Sequence, residues 1–287
     1  MSITRDIKTA LRGNNGALFR LIIINVAVWL IVNILVNVLT MQGEPFAERI
    51  IGDYLVLPGG LENLLYRFWT PFTYMFVHFG FMHLLSNMLW LYFLGRIFCD
   101  LLGSARMTGV YIIGGLLGAL FFVSVENIFS SRPELNSLEG ASAGVMAIVI
   151  AAAAFRPDYM MFPFGFSMKL KWLALISFIL TSVIDLNANT GGKVAHIGGA
   201  IFGFIYGTQM RHGKKFMEGI MNLFRLKKNN LRVEYSRSQK ANDQAYNERK
   251  VNIRRQVDEI LDKISRSGYD SLNKEEKDFL QKNHDKF

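Results

Sequence analysis

The sequence predicts an all-α polytopic membrane protein, and three observations carry that prediction. Of the 287 residues, 51% are hydrophobic. The apolar residues gather in long blocks poor in charge, without the alternation of a half-buried strand or the fine periodicity of a soluble amphipathic helix. Several blocks come close to the about 20 residues that cross a bilayer core of about 30 Å. By that criterion six spans are expected, at roughly 21 to 41, 72 to 95, 107 to 125, 141 to 155, 170 to 186 and 194 to 210.

Residues 1–20 read as a short, basic, amphipathic entry to the first span. Leu21 to Met41 has full membrane length with no small-residue cleavage site after it, so no cleaved signal peptide is expected. The connection from Gln42 to Phe68 is long, and its apolar residues with Pro45, Pro58, Gly59 and Gly60 predict partly structured backbone lying in the membrane interface. The third, fourth and sixth spans are rich in glycine and alanine. The fourth holds only about 15 apolar residues before Arg156 and Pro157, or about 22 Å at about 1.5 Å per residue, so its first residues lie below one membrane surface.

The membrane domain therefore runs over 21–212, with 213–250 as a basic linker, polar and charged from Lys227 to Lys250. Periodicity returns over 251–287. Val251, Val257, Ile260, Leu261 and Ile264 fit one helical face, Gly268 stops that helix, and Asn273 with Glu276 forms a capping box for Lys274 to Gln281. A small helical hairpin is expected there, with Leu272, Phe279 and Leu280 packing on its first helix. It carries no constellation of reactive side chains.

Charge orients the chain and narrows its partners. With six spans, one side holds Arg5, Lys8, Arg12, Arg20, Arg96, Arg106, Arg156, Lys169 and Lys171, and the other only Arg49, Arg67, Arg132 and Lys193. The positive-inside rule then puts both termini in the cytoplasm. From Arg211 onward there are 19 Lys and Arg against 12 Asp and Glu, so seven of the nine net positive charges lie in the tail. A basic segment beside anionic headgroups explains that balance. No aromatic-basic motif accompanies it, and nucleic acid is not an expected partner. A lone cysteine, Cys99, precludes an internal disulfide.

The chemistry-bearing residues stand out against this apolar background. Ser142 sits in Gly140-Ala141-Ser142-Ala143-Gly144 at the head of the fourth span, and His196 in Ala195-His196-Ile197-Gly198-Gly199 at the head of the sixth. Both heads face the non-cytoplasmic side under the six-span topology. A serine at a helix start lies among unpaired N–H groups, which suits an oxyanion. By itself the pentapeptide reads as ordinary small-residue helix packing. His196 changes the weighing, because Gly199, Gly203 and Gly207 recur every four residues and let a neighbour approach the histidine face. A histidine beside a serine can take its proton and return it to a leaving amine.

The second span adds His78, His83, Ser86 and Asn87. His83 and Asn87 are four apart on one face and both can donate to an oxyanion. His78 and Ser86 fit interhelical hydrogen bonding. There is no His-Glu-x-x-His pair, so neither a metal nor another cofactor is expected. Asp185 is the one acid expected near the site, and a Ser-His dyad needs none.

These residues resemble the rhomboid intramembrane serine proteases over about residues 65 to 210. The resemblance rests on the His78 to Asn87 run, the Ser142 motif, and Ala195-His196-x-Gly198-Gly199 with its glycine repeat. It implies a six-helix bundle in which Ser142 and His196 form the catalytic dyad. It further implies that His83, Asn87 and the Ser142 N–H form the oxyanion hole. Arg67-Phe68-Trp69 resembles the end of that family's first external loop, a partly embedded structural element. Substrates would be single-span transmembrane proteins, cut near the outer surface of a bacterial-type inner membrane. No oligomeric state is implied. The chain departs from the family's Gly-x-Ser-Gly pattern at Ala143, whose methyl could crowd the oxyanion hole. A catalytically silent relative that binds client transmembrane helices, or a proton-coupled transporter using the histidines, are the alternatives.

Overall fold

The computed structural model describes residues 11, 13–44, 46–131, 136–162, 165, 167–182, 190–213, 219 and 237–283. Within 1–227, one compact unit, helices dominate. Three of the described helices are long and apolar enough to cross a membrane: α1 (Gly16–Met41), and two reached after the first long connection. That connection is itself built of α2 (Ala47–Leu55), β1 (Leu57–Pro58), α3 (Leu61–Tyr66), α4 (Thr70–Thr73) and a 3₁₀ turn at Tyr74–Phe76. The other two long helices are α5 (Phe81–Leu102) and α6 (Ser104–Phe129). Next come β2 (Ser137–Leu138), α7 (Ser142–Phe155), the strands β3 (Met160–Met161) and β4 (Met168–Lys169), α8 (Leu170–Ser182) and α9 (Thr190–Arg211). Helices α7 and α8 are apolar but shorter.

The boundaries differ from the hydropathy reading where backbone chemistry overrides composition. The second helix begins at Phe81, after the extended Gly80, instead of near 72, because the apolar stretch ahead of it folds into short turns. The third continues to Phe129 and takes in Glu126, whose buried carboxylate accepts from Asn136 Nδ2 at 2.6 Å. A partnered carboxylate can stay in a helix where an unpaired one could not. Two short strand pairs were not expected at all. β1 pairs antiparallel with β2, Leu57 opposite Leu138, and β3 with β4, Met160 opposite Lys169. Beside the second pair, Lys169 and Lys171 approach Asp158 at 3.0 and 3.2 Å and hold its carboxyl below the ordinary range. Arg5, Lys8, Arg12, Arg132, Asp185 and most of the linker lie outside the described residues.

Helix α7 is the centre of the unit, buried along nearly its whole length. It is clasped by small residues. The carbonyls of Ala143, Ala147 and Ala151 lie where Cβ atoms on Gly199, Gly203 and Gly207 of α9 would stand. On the other flank the Ala147 methyl fills the space beside Gly114 of α6, and the Ala143 methyl lies 2.6 Å from where a Cβ on Gly118 would be. Backbone-to-backbone approach of this kind replaces the hydrophobic drive that helices lack in lipid.

The second unit, 228–287, contains α10 (Arg237–Ser267), a 3₁₀ turn at Tyr269–Ser271, and α11 (Lys274–Asn283). Helix α10 begins well inside the segment read as linker. Its inward face is narrower than the periodicity implied, since Val257 and Ile260 are buried while Val251 and Leu261 are exposed. Gly268, at φ 78°, ends α10 in a conformation that favours glycine. The capping box is present in reciprocal form: Glu276 N–H donates to Asn273 Oδ1 and Asn273 N–H to Glu276 Oε2, both at 2.8 Å. Lys263 Nζ reaches the same carboxylate at 2.9 Å, and these contacts hold the Glu276 carboxyl below its usual range.

Candidate active site

Ser142 is the first residue of α7, so its N–H and the next ones have no acceptor within the helix. The turn that delivers it is pinned from below. Gly140, at φ 106°, donates its N–H to the Tyr74 carbonyl at 2.9 Å, and Ala141 N–H donates to His78 Nε2 at 3.2 Å. Tyr74 is anchored in turn by its hydroxyl, which donates to the Gly115 carbonyl at 2.7 Å.

Ser142, His196 and Asn87 line one cleft of about 40 Å³, walled on its apolar side by Trp90, Val145, Met146 and Val149. That volume exceeds the about 10–15 Å³ a water molecule needs. Helix α8 closes the cleft with Ser177 and Thr181. Ser142 and His196 share the cleft without a direct hydrogen bond, a separation common in empty catalytic sites.

His196 is oriented through its other nitrogen. Nδ1 lies 3.2 Å from the Thr181 carbonyl and 3.5 Å from Ser182 Oγ. A carbonyl only accepts, so the neutral ring carries its proton on Nδ1 and leaves the Nε2 lone pair open. That is the tautomer a general base requires.

The oxyanion candidates divide. Asn87 is buried and lines the cleft, but its amide donates to the His83 carbonyl at 3.0 Å and lies 3.2 Å from His78 Nε2. One of those bonds must yield before Asn87 can donate to a substrate oxygen. His83 is not among the residues lining the cleft. Its ring edge packs on Gly140, within 2.8 Å of where a Cβ would stand, and its Nδ1 lies 3.4 Å from Glu139 Oε1. His78, fully buried, ties Asn87 to the serine turn. Ser86 bonds only locally, to the His83 carbonyl.

Ala143 does not crowd the cleft. It is 1% exposed, absent from the cleft lining, and its methyl packs against Gly118 of α6.

Comparison with known families decides the relationship. The rhomboid domain family matches residues 66–212, just over half of the chain. The chain belongs to the rhomboid family. With that family and its apolar helices, it is an integral membrane protein. A curated relative, the rhomboid protease GlpG of Salmonella paratyphi A, is 30% identical over 161 residues. The match covers 55% of each chain, so this rhomboid spans little more than half the length of that relative. Residues 240–285 match a separate family of unknown function, DUF6576.

Two residues at the site escaped the sequence reading. Glu139 is an acid beside the serine turn, where the sequence points only to Asp185; it sits in a loop, outside the apolar spans in which a polar residue stands out. For His78 the sequence suggests only generic interhelical bonding. Its spacing of nine from Asn87 is not a same-face helical spacing, and the bond forms because His78 precedes the helix.

Proposed function

We propose that this rhomboid is an intramembrane serine endopeptidase with a Ser142–His196 dyad, acting on transmembrane segments. The carrying observation is the shared cleft: Ser142 at a helix start faces it together with His196, whose Nδ1 is committed to a carbonyl. His196 Nε2 takes the Ser142 proton as Oγ attacks the scissile carbonyl, and gives it to the leaving amine as the C–N bond breaks. Water then attacks the acyl-serine, and the same nitrogen relays its proton back to Ser142. The Ser142 N–H, Asn87 and His83 hold the oxyanion in both steps.

The topology in this reading is six spans, with α1, α5, α6, α7, α8 and α9 in the membrane. Both termini are cytoplasmic, in a bacterial-type inner membrane, and the tail is a cytoplasmic helical hairpin. The name of the Salmonella relative supports protease activity, and single-span proteins are the proposed substrates. Their helices must unwind near the outer surface, because a hydrogen-bonded helix hides the carbonyl from attack.

Fluorophosphonate labelling tests the reading. Wild type takes the label and cleaves a single-span test substrate, while Ser142→Ala does neither. His196→Ala loses at least about 10³-fold in kcat. An unlabelled, inactive wild type identifies a silent relative instead.

A further inference from the structure

Glu139 has no place in the mechanism above, yet its carboxylate bridges two parts of the site. Oε1 lies 3.4 Å from His83 Nδ1, and Oε2 accepts from the Phe79 N–H at 3.3 Å. Both side chains are about two-thirds or more shielded, at 33% and 27% exposed. The ring edge opposite this contact, Cε1 and Nε2, packs against Gly140, two residues ahead of Ser142. His83 is thus held by an acid on one nitrogen, with the other on the side of the serine turn.

A carboxylate only accepts, so the contact places a proton on His83 Nδ1. In the neutral ring the remaining nitrogen then has a lone pair and cannot donate to an oxyanion. Donation from Nε2 requires the doubly protonated ring, and Glu139 is the counter-charge that ring faces. Two other titratable groups bear on it. His78, ahead of α5, stands edge-on with ring centroids 5.0 Å apart, and His196 of α9 is the other histidine of the site. Neither brings a negative charge, so Glu139 is the one opposing charge among the described groups facing His83.

We propose that Glu139 is a positioning residue for the oxyanion hole. It fixes a proton on His83 Nδ1 and balances the charge that lets Nε2 donate to the developing oxyanion. This rests on the protease reading. Asn87 and the Ser142 N–H supply the rest of the hole without Glu139.

A double-mutant cycle in the full chain, reconstituted with a single-span test substrate, separates this role from a structural one. His83→Ala lowers kcat about 10²-fold, and Glu139→Gln about tenfold with KM unchanged. In the His83→Ala background Glu139→Gln has no further effect on kcat. His83→Gln, whose amide can still donate from near the Nε2 position, recovers part of the activity lost in His83→Ala and is insensitive to Glu139→Gln. Equal losses from Glu139→Gln with and without His83, or a loss that appears in KM instead of kcat, overturn the proposal by showing that the carboxylate only braces Phe79. Wild type that neither labels nor cleaves overturns the protease reading itself, and this inference with it.

Discussion

The two helices that meet Ser142 and His196 from either side are packed in opposite ways. Helix α9 lies backbone to backbone on α7 along Gly199, Gly203 and Gly207. Helix α8 buries Leu170, Ala174, Ser177 and Ser182, and leaves Trp172, Leu175, Ile176, Ile179 and Leu180 exposed. The first seam has no slack; the second has side chains that can re-pack in lipid. Ser142 and His196 ride on the tight seam, which fixes their spacing. One wall of their cleft, Ser177 and Thr181, belongs to the loose one. The Thr181 carbonyl that orients His196 also sits on the loose side, so the imidazole takes its position from one helix and its tautomer from the other.

That contrast can be broken, starting with the largest effect. Gly199→Val drives a branched side chain into the Ala143 carbonyl, and overpacking there costs about 3 kcal/mol or more. The expected outcome is loss of the thermal transition and of fluorophosphonate labelling together; a folded, labelled Gly199→Val shows the seam to be soft. Gly118→Ala meets the Ala143 methyl at 2.6 Å and costs about 1–3 kcal/mol, read as a lowered Tm with labelling retained. Ile179→Ala on the outer face of α8 changes stability by no more than about 0.5 kcal/mol. A Tm drop matching that of Gly118→Ala removes the distinction between the seams.

Ser182→Ala tests the tautomer link. The Thr181 carbonyl is nearer to Nδ1 than the hydroxyl is, so kcat falls only about threefold. A hundredfold loss assigns the orienting role to Ser182 instead. The smallest effect lies in the tail. The Glu276 carboxyl is held below its ordinary value of 4.5, so its contribution to α11 is fully present above that pH and fades as pH falls below it. Amide exchange over 274–283 in the full chain accelerates through that window, and Glu276→Gln removes the pH dependence.

The parts of this molecule that were legible in advance are those written in composition or fixed spacing. Apolar blocks located the long helices, the four-residue glycine repeat located the tight seam, and Asn273 with Glu276 located a cap. Ser142 and His196, read from sequence at two span heads, and Asn87, read within the second span, line one cleft. Turns were less legible. The aromatic stretch from Thr70 to Phe76 has the hydropathy of a span but ends in His78-Phe79-Gly80, so helix α5 waits until Phe81. The effect of Ala143 was unreadable because a methyl's direction depends on which neighbour lies beside it, here Gly118. Glu139 was invisible for a related reason: an acid in a loop looks solvated until the fold brings a histidine from 56 residues away against it.

The short pairing of β1 with β2 has a mechanical consequence. Leu138 is hydrogen-bonded into the ladder with Leu57, and only Glu139, Gly140 and Ala141 separate it from the serine. The long connection is fastened again by Asn127, which donates to the Gly59 carbonyl at 2.7 Å. A displacement of that connection therefore reaches Ser142 through the ladder and three residues of backbone, without passing through the cleft. The head of α7 is thus tied to the connection ahead of α5 across the ladder as well as along the chain.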